Sequence, residues 1–358
     1  MLKKIVFAAL VSSSLPSTAT TLWESDDTLR NVNLIGFAHI DVAQFDSLPE
    51  QQNTQIDDGF QEARVALHLS SRLSSRITTF IEAELTVTED NTSDSLERWV
   101  VKYDIDNNSQ ISAGRYHAPV GYWNQYYHHG RWLQISKDRP VQSDFGLGFV
   151  PAHYVGVMYE RKIRTESLTI DLDIGLGQGR EADLIIPDFS SPVTVKGKEA
   201  FVAQINVTPN KNRKLNYGGS TWVGDLKSSD GSTFEEQVFT AHFRYSGITG
   251  DFLAEASAVK HDSQDARGNT SNYGAYLQYS HRLSVMEGRL RPYVRLDYLD
   301  IDEDDYVFAG LQSQDRQTLG IRYDVTDNSA IKFEIRHDDL KDDDLSIESI
   351  HGQFSAFF

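Results

Sequence analysis

The stretch Glu62-Ala63-Arg64-Val65-Ala66-Leu67-His68-Leu69-Ser70 is followed, after the polar residues Ser71 to Ser75, by Arg76-Ile77-Thr78-Thr79-Phe80-Ile81-Glu82-Ala83-Glu84-Leu85-Thr86-Val87-Thr88. In the first run Ala63, Val65, Leu67 and Leu69 alternate with Glu62, Arg64, His68 and Ser70. In the second, Ile77, Thr79, Ile81, Ala83, Leu85 and Val87 alternate with Arg76, Thr78, Glu82, Glu84, Thr86 and Thr88. Successive side chains of a strand point to opposite faces, so a period of two marks a strand with one apolar and one polar face. The short connection makes the pair a hairpin.

The same period runs outward along the chain. Trp99, Val101, Tyr103 and Ile105 interleave with Arg98, Lys102 and Asp104, and Leu168, Ile170, Leu172 and Ile174 with Thr169, Asp171 and Asp173. It recurs at Phe201 to Val207, Leu215 to Val223, Phe239 to Tyr245, Phe252 to Ala258, Tyr273 to Tyr279, Leu290 to Tyr298, Gln317 to Val325, Ile331 to Ile335 and Ile350 to Phe358. Weaker stretches are Leu34 to Val42, Ile111 to Tyr116 and His153 to Arg161. Together they make about sixteen strands, an even number as in bacterial barrels. Connections alternate in length. Short turns are expected at Ser71 to Ser75, Asn107 to Ser109, Lys162 to Glu166, Pro209 to Arg213, Ser246 to Gly250, His281 to Gly288 and Thr326 to Ser329. Long polar loops are expected at Gln44 to Asp58, Glu89 to Ser95, His117 to Ala152, Gly177 to Lys198, Gly224 to Glu235, His261 to Thr270, Asp300 to Ser313 and Asp339 to Leu345. The predicted fold is all-β, a transmembrane antiparallel β-barrel with short periplasmic turns, long extracellular loops and both termini periplasmic. Soluble sandwiches and solenoids also alternate, but neither keeps this loop rhythm, and no fixed repeat is present. Trp99, Tyr103, Tyr245, Tyr279, Tyr298 and Tyr323, near strand ends, suit interfacial girdles.

At the N-terminus, Lys3 and Lys4, the apolar run Ile5 to Val11 and the small residues Ser17-Thr18-Ala19 read as a cleaved signal peptide over residues 1–19, leaving 20–358 as one barrel domain. No later run reaches the ~20 apolar residues of a spanning helix. Among 358 residues there is no Cys, which excludes disulfides, thiolate metal sites, covalently attached haem and a Cys nucleophile. The net charge of -18 argues against a nucleic-acid partner. Mean hydropathy is negative, as a barrel with a polar interior permits.

The C-terminal run Gln353-Phe354-Ser355-Ala356-Phe357-Phe358 ends an alternating strand on an aromatic, and resembles the closing strand of Gram-negative outer-membrane porins. Gly114-Arg115-Tyr116-His117-Ala118-Pro119-Val120-Gly121 is similar to the Gly-Arg-aromatic stretch and Pro-aromatic-Gly turn of phosphate-selective porins of the O/P type, with Val120 at the aromatic position. The porin resemblance implies recognition of Phe358 by the assembly machinery, a homotrimer, and a third extracellular loop folded into the lumen. Here that loop is residues 117–152, the longest connection.

This loop carries Tyr122, Trp123, Tyr126, Tyr127 and Trp132 beside His117, His128, His129, Arg131, Lys137 and Arg139. So many aromatics are costly to leave in water, and packing inside the barrel mouth is expected. A clamp on the rim or against a neighbouring subunit is the other reading. His128 and His129 point opposite ways on an extended backbone, so loop histidines held by hydrogen bonds are expected, with no metal site. By parity Arg291, Arg295, Arg316, Arg322, Lys332 and Arg336 form a basic wall on three consecutive strands, diluted by Asp297, Asp324 and Glu334, and Arg115 is a further lumen cation. Glu82 and Glu84 are lumen carboxylates. Equally, these charges read as interior ions pairing with one another.

The acidic stretches Asp300 to Asp305 and Asp338 to Asp344 lack the turn Gly and closing Glu of a calcium loop and read as solvated charge, or as sites bridging lipopolysaccharide phosphates through divalent ions. Gly175, Gly177 and Gly179 precede no helix, so they are no dinucleotide fingerprint. No cofactor is implied. The function expected is an outer-membrane channel, contacting lipid and lipopolysaccharide and passing small hydrophilic solutes or ions with modest anion preference set by Arg115, Arg131, Arg295, Arg322 and Lys332. The alternatives are a non-conducting scaffold or adhesin, and an outer-membrane hydrolase, for which no nucleophile motif is found.

Overall fold

The computed structural model describes residues 20–24, 31–45, 58–128, 131–180, 199–227, 232–263, 268–341 and 345–358. The expected signal peptide over 1–19 and His129 lie outside the described residues. A short strand β1 (Thr20–Glu24) precedes sixteen longer ones. These are β2 (Asn31–Phe45), β3 (Gly59–Arg72), β4 (Ile77–Val87), β5 (Thr92–Asp106), β6 (Ser109–His117), β7 (His153–Arg164), β8 (Leu168–Gln178) and β9 (Glu199–Pro209). They continue as β10 (Leu215–Lys227), β11 (Thr233–Ser246), β12 (Gly250–Ser263), β13 (Asn269–His281), β14 (Leu290–Asp300), β15 (Gln314–Thr326), β16 (Ser329–Leu340) and β17 (Leu345–Phe357).

From β2 to β17 each strand pairs antiparallel with the next, and β17 pairs back with β2 through Ser349↔Phe45 to Phe357↔Phe37. The sheet is therefore a closed sixteen-stranded barrel without a free edge, the form in which strands can satisfy every backbone group in an apolar medium. The closing seam continues through Phe358, whose backbone exchanges hydrogen bonds with Gly36 at 2.6 and 2.9 Å. A Cβ on Gly36 would stand 2.2 Å from the Phe358 ring, so only glycine leaves room for that aromatic. β1 pairs with Asn31 to Leu34 on the same edge of β2, prolonging the line of β17.

The expected parity holds strand by strand. Leu67, Ile81, Trp99, Leu277, Phe333 and Ile335 stand exposed on the outside, whereas Glu82, Arg295 and Lys332 are 0 % exposed. Apolar exterior and ionic interior invert a soluble protein, and the outer band needs an apolar solvent. Register places Tyr245 beside Phe252 and Phe252 beside Tyr279, an aromatic row next to two short turns.

Three loop expectations need correction. Glu89 to Ser95 is no long loop: β4 ends at Val87, β5 starts at Thr92, and the turn closes by the Thr88 N–H donating to Asn91 O at 2.8 Å. The expected loops at 224–235 and 261–270 shrink as β10 to β13 run on to Lys227, Thr233, Ser263 and Asn269. Alternation is imposed only within the apolar band, so strand ends beyond it carry no period to read. Asp305 is also not solvated. It is 2 % exposed, accepts from Thr270 and Asn272 side chains at 2.6 Å each and from the Val307 and Phe308 amides, and meets His261 Nδ1 at 2.8 Å. These partners outweigh the burial that pushes its carboxyl up, and hold it far below the usual carboxylate range. The loop 301–313 is thus tied down by its own aspartate.

Candidate functional site

Residues 118–152 connect β6 to β7 and include a short helix α1 (Tyr122–Tyr126) and a 3-10 turn at Val141–Ser143. Glu255 of β12 receives α1. Its Oε2 accepts the Tyr122 and Trp123 N–H groups at 2.6 and 3.1 Å, and Oε1 accepts Gln142 Nε2 at 3.1 Å. Gly121 has φ +81°, and a Cβ there would lie 2.6 Å from Glu255 Oε1, so both backbone and space require glycine. Nearby, the Gly121 N–H donates to Ser220 Oγ at 3.0 Å and Gln125 Nε2 donates to Asp173 Oδ2 at 2.9 Å. Arg244 Nη1 donates to the Tyr122 hydroxyl at 2.9 Å. Burial pushes the Tyr122 phenol up to about 12.

The predicted basic residues meet this segment's carbonyls. Arg295 donates to Ser136 Oγ, Asp138 O and Arg139 O at 2.8 to 3.0 Å and pairs with Asp297 at 2.7 Å. Arg322 donates to Trp132 O and Gln134 O, and Lys332 to Arg131 O, Ser136 O and Gln353 Oε1. Arg336 pairs with Asp138 at 2.7 Å and with Glu334, which accepts the Lys137 N–H and, at 2.7 Å, the Tyr293 hydroxyl. Arg291 pairs with Asp324 at 2.7 Å, and Arg316 with Asp338. A buried cation without such partners is strongly disfavoured, so wall and segment stabilise each other.

Within the segment, Lys137 Nζ reaches Asp41 at 3.2 Å and Asp138 at 2.9 Å, and Arg131 Nη1 donates to Lys137 O at 3.1 Å. Burial pushes the Asp138 carboxyl up, but Lys137, Arg336 and Arg131 together hold it well below the usual range. Arg139 donates to Ser143 O at 3.0 Å and lies 3.4 Å over the Phe145 ring. Arg115 Nε donates to Glu97 O at 3.0 Å. Glu82 pairs with His68 and Arg98, and Glu84 with Arg64 at 3.0 Å. His117 and His128 stack at 3.5 Å between centroids.

A polar cavity of about 490 Å³ opens beside the segment, lined by Arg64, Arg131, Lys137, Arg139, Arg316 and Arg336 and by Asp41, Glu62, Asp138, Asp144 and Asp338. That is six cations against five carboxylates. A second cavity of about 570 Å³, at the short-turn end, is lined by Gln125 and Tyr126 of the segment with Asp104, Glu160, Lys162, Asp171 and Asp173. Of the residues expected to set ion preference, Arg131 lines the first cavity, whereas Arg295, Arg322 and Lys332 hold segment carbonyls instead.

Sequence reasoning passed over Glu255 and the apolar patch on which the segment rests. Val120, Val141 and Phe149 pack with Tyr154, Val202, Trp222, Val238 and Val259. The clue was present in doublets such as Phe201-Val202 and Val238-Phe239, where a strand is apolar on both faces and so has something to bury on each.

Solved structures share this fold across nearly the whole chain. The anion-selective porin from Comamonas acidovorans superposes with TM-score 0.67 over 92 % of this chain and 100 % of its own, at 11 % identity. The fold is the porin fold. The outer membrane channel DcaP of Acinetobacter baumannii gives 0.62, covering 94 % and 99 % at 14 % identity. The trimer form of OmpT from Vibrio cholerae gives 0.58, covering 92 % and 99 % at 9 % identity. No protein-family model and no curated protein sequence matches the chain.

Proposed function

We propose that this porin-fold barrel is an outer-membrane channel through which small hydrophilic solutes and ions diffuse passively, and that it performs no reaction. Residues 118–152 fold into the lumen and narrow it. The observation that carries this reading is the bonding of that segment to inward side chains of β9, β10, β12, β14, β15 and β16, with polar cavities left open around it. A trimer with periplasmic termini, delivered by the N-terminal signal, fits the porin fold.

Permeating ions meet the cavity charges, not the charges locked to the segment. Arg64, Arg131, Arg139 and Arg316, at close range and little screened, give a modest anion preference, while rim carboxylates more than about a Debye length away contribute less. The likeness of Gly114 to Gly121 to O/P-type porins makes phosphate the first oxyanion to try. Planar-bilayer recording in a salt gradient tests the proposal. Stepwise conductance with an anion-side reversal potential is expected, moving toward cations in an Arg64→Gln/Arg131→Gln variant and staying in place when Asp302 and Asp304 are neutralised. Absence of conductance supports the scaffold reading, and a larger shift from the loop variant hands selectivity to the mouth.

A further inference from the structure

Glu97 of β5, His117 at the end of β6, His128 in the segment and His153 at the start of β7 each bring one nitrogen or carboxylate oxygen within 4.8 Å of all the others. His153 Nε2 stands 3.0 Å from Glu97 Oε2. The His117 and His128 rings stack, and the His153 ring meets that of His128 at 4.6 Å and 71°. Glu97, His117 and His128 are buried. We propose that these four side chains form a binding site for a divalent transition-metal ion of the zinc class.

Three imidazoles and one carboxylate are the donors zinc takes in four-coordinate sites, whereas calcium and magnesium select oxygen ligands. Ligand atoms about 2.1 Å from a tetrahedral ion stand about 3.4 Å apart, so the cluster needs to contract by up to about 1.4 Å, with the stacked His117 and His128 rings turning so that both lone pairs meet at the ion. Local structure prepares two of the ligands. In the β4–β5 register Glu82 faces Arg98 and Ala83 faces Leu96, leaving Glu97 as the extra residue of a bulge, a device that re-aims a side chain. Asn124 Nδ2 donates to Ala118 O at 2.8 Å and Ala152 O at 3.1 Å. Carbonyls only accept, so the amide orientation is fixed, and His128 Nδ1, 2.6 Å from Asn124 Oδ1, is the donor. The neutral ring therefore carries its lone pair on Nε2, with a second-shell partner setting the tautomer as in protein zinc sites. Glu82 Oε2, 3.6 Å from His117 Nε2, adds negative charge beside the cluster. By contrast His39, Asp41 and Glu62 also converge, but Lys137 and Arg64 already sit 3.2 and 2.8 Å from those carboxylates.

The four ligands lie on β5, β6, β7 and the segment, so a bound ion ties both ends of residues 118–152 and the turn after α1 to the wall. The test is a titration of folded full-length protein in detergent with Zn²⁺, followed by calorimetry, and with Co²⁺, whose visible absorption reports tetrahedral coordination. One ion per chain is expected, with slower tryptic cleavage of the segment. His128→Ala and His153→Ala should abolish binding, Asn124→Ala should weaken it about 10–100-fold through the second shell, and His337→Ala, half-buried on β16, should leave it unchanged. Heat-modifiable mobility reports folding of each variant. Should a histidine variant fail to fold, Glu97→Gln and Asn124→Ala decide in its place. No saturable Zn²⁺ binding by the wild type, or binding that the ligand variants retain, overturns the site, and neither result bears on conduction.

Discussion

At the scale of single residues, Glu255 shows how one buried carboxylate seats a loop. It satisfies two backbone N–H groups of α1 and one side-chain amide, all three on buried residues. Glu255→Ala should cost about 1–3 kcal/mol per amide left unsatisfied, felt by the segment more than by the barrel. Tryptic cleavage after Arg131 or Lys137 should then become fast while the barrel keeps its heat-modifiable mobility. Unchanged cleavage would mean that Arg295, Arg322 and Lys332 hold the segment without help. Gly121 belongs to the same contact, since its positive φ and the nearby carboxylate leave no place for a side chain.

At the scale of strands, outward and inward positions differ in what surrounds them. Leu67 points out from β3, while His68, one residue on, pairs with Glu82 inside. Leu67→Arg should cost about 2–4 kcal/mol if the bilayer midplane crosses β3 there, whereas His68→Gln should cost much less. Equal losses in urea unfolding from lipid vesicles would show the register to be wrong. The β17–β2 seam makes a second expectation. Deleting Phe358 removes its paired hydrogen bonds with Gly36 and the ring that fills the glycine's space, so folded, heat-modifiable barrel should fall while export across the inner membrane continues. A normal yield would show that the seam closes without its last residue.

For the molecule as a whole, docking of residues 118–152 is linked to pH at both ends. Asp138 has its carboxyl held below the ordinary value, so its contribution is present above the unfolded pKa of ~3.9 and is lost as pH falls through the folded value. Tyr122 has the opposite sign. Its phenol is raised to about 12, so its contribution is complete below the ordinary ~10 and is lost as pH rises toward 12. Tryptic sensitivity of the segment and open-channel noise should therefore rise below about pH 4 and above about pH 10. A flat response across the whole range would remove both groups from docking.

Strand number, strand order around the wall and the face of each residue were legible in the sequence, because alternation is a local property that a band of apolar solvent imposes on every strand separately. Inward placement of Arg295, Arg322, Lys332 and Arg336 followed from the same parity. Their partners did not, since a cation on β14 to β16 meets carbonyls at Arg131 to Arg139, well over a hundred residues earlier, and nothing local records that meeting. The cluster of Glu97, His117, His128 and His153 was hidden for the same reason. Adjacent side chains of an extended backbone diverge, and only the return of the chain from β6 through the segment to β7 brings donors from four elements to one point. Period decided the wall, and the path of one long connection decided what the wall encloses.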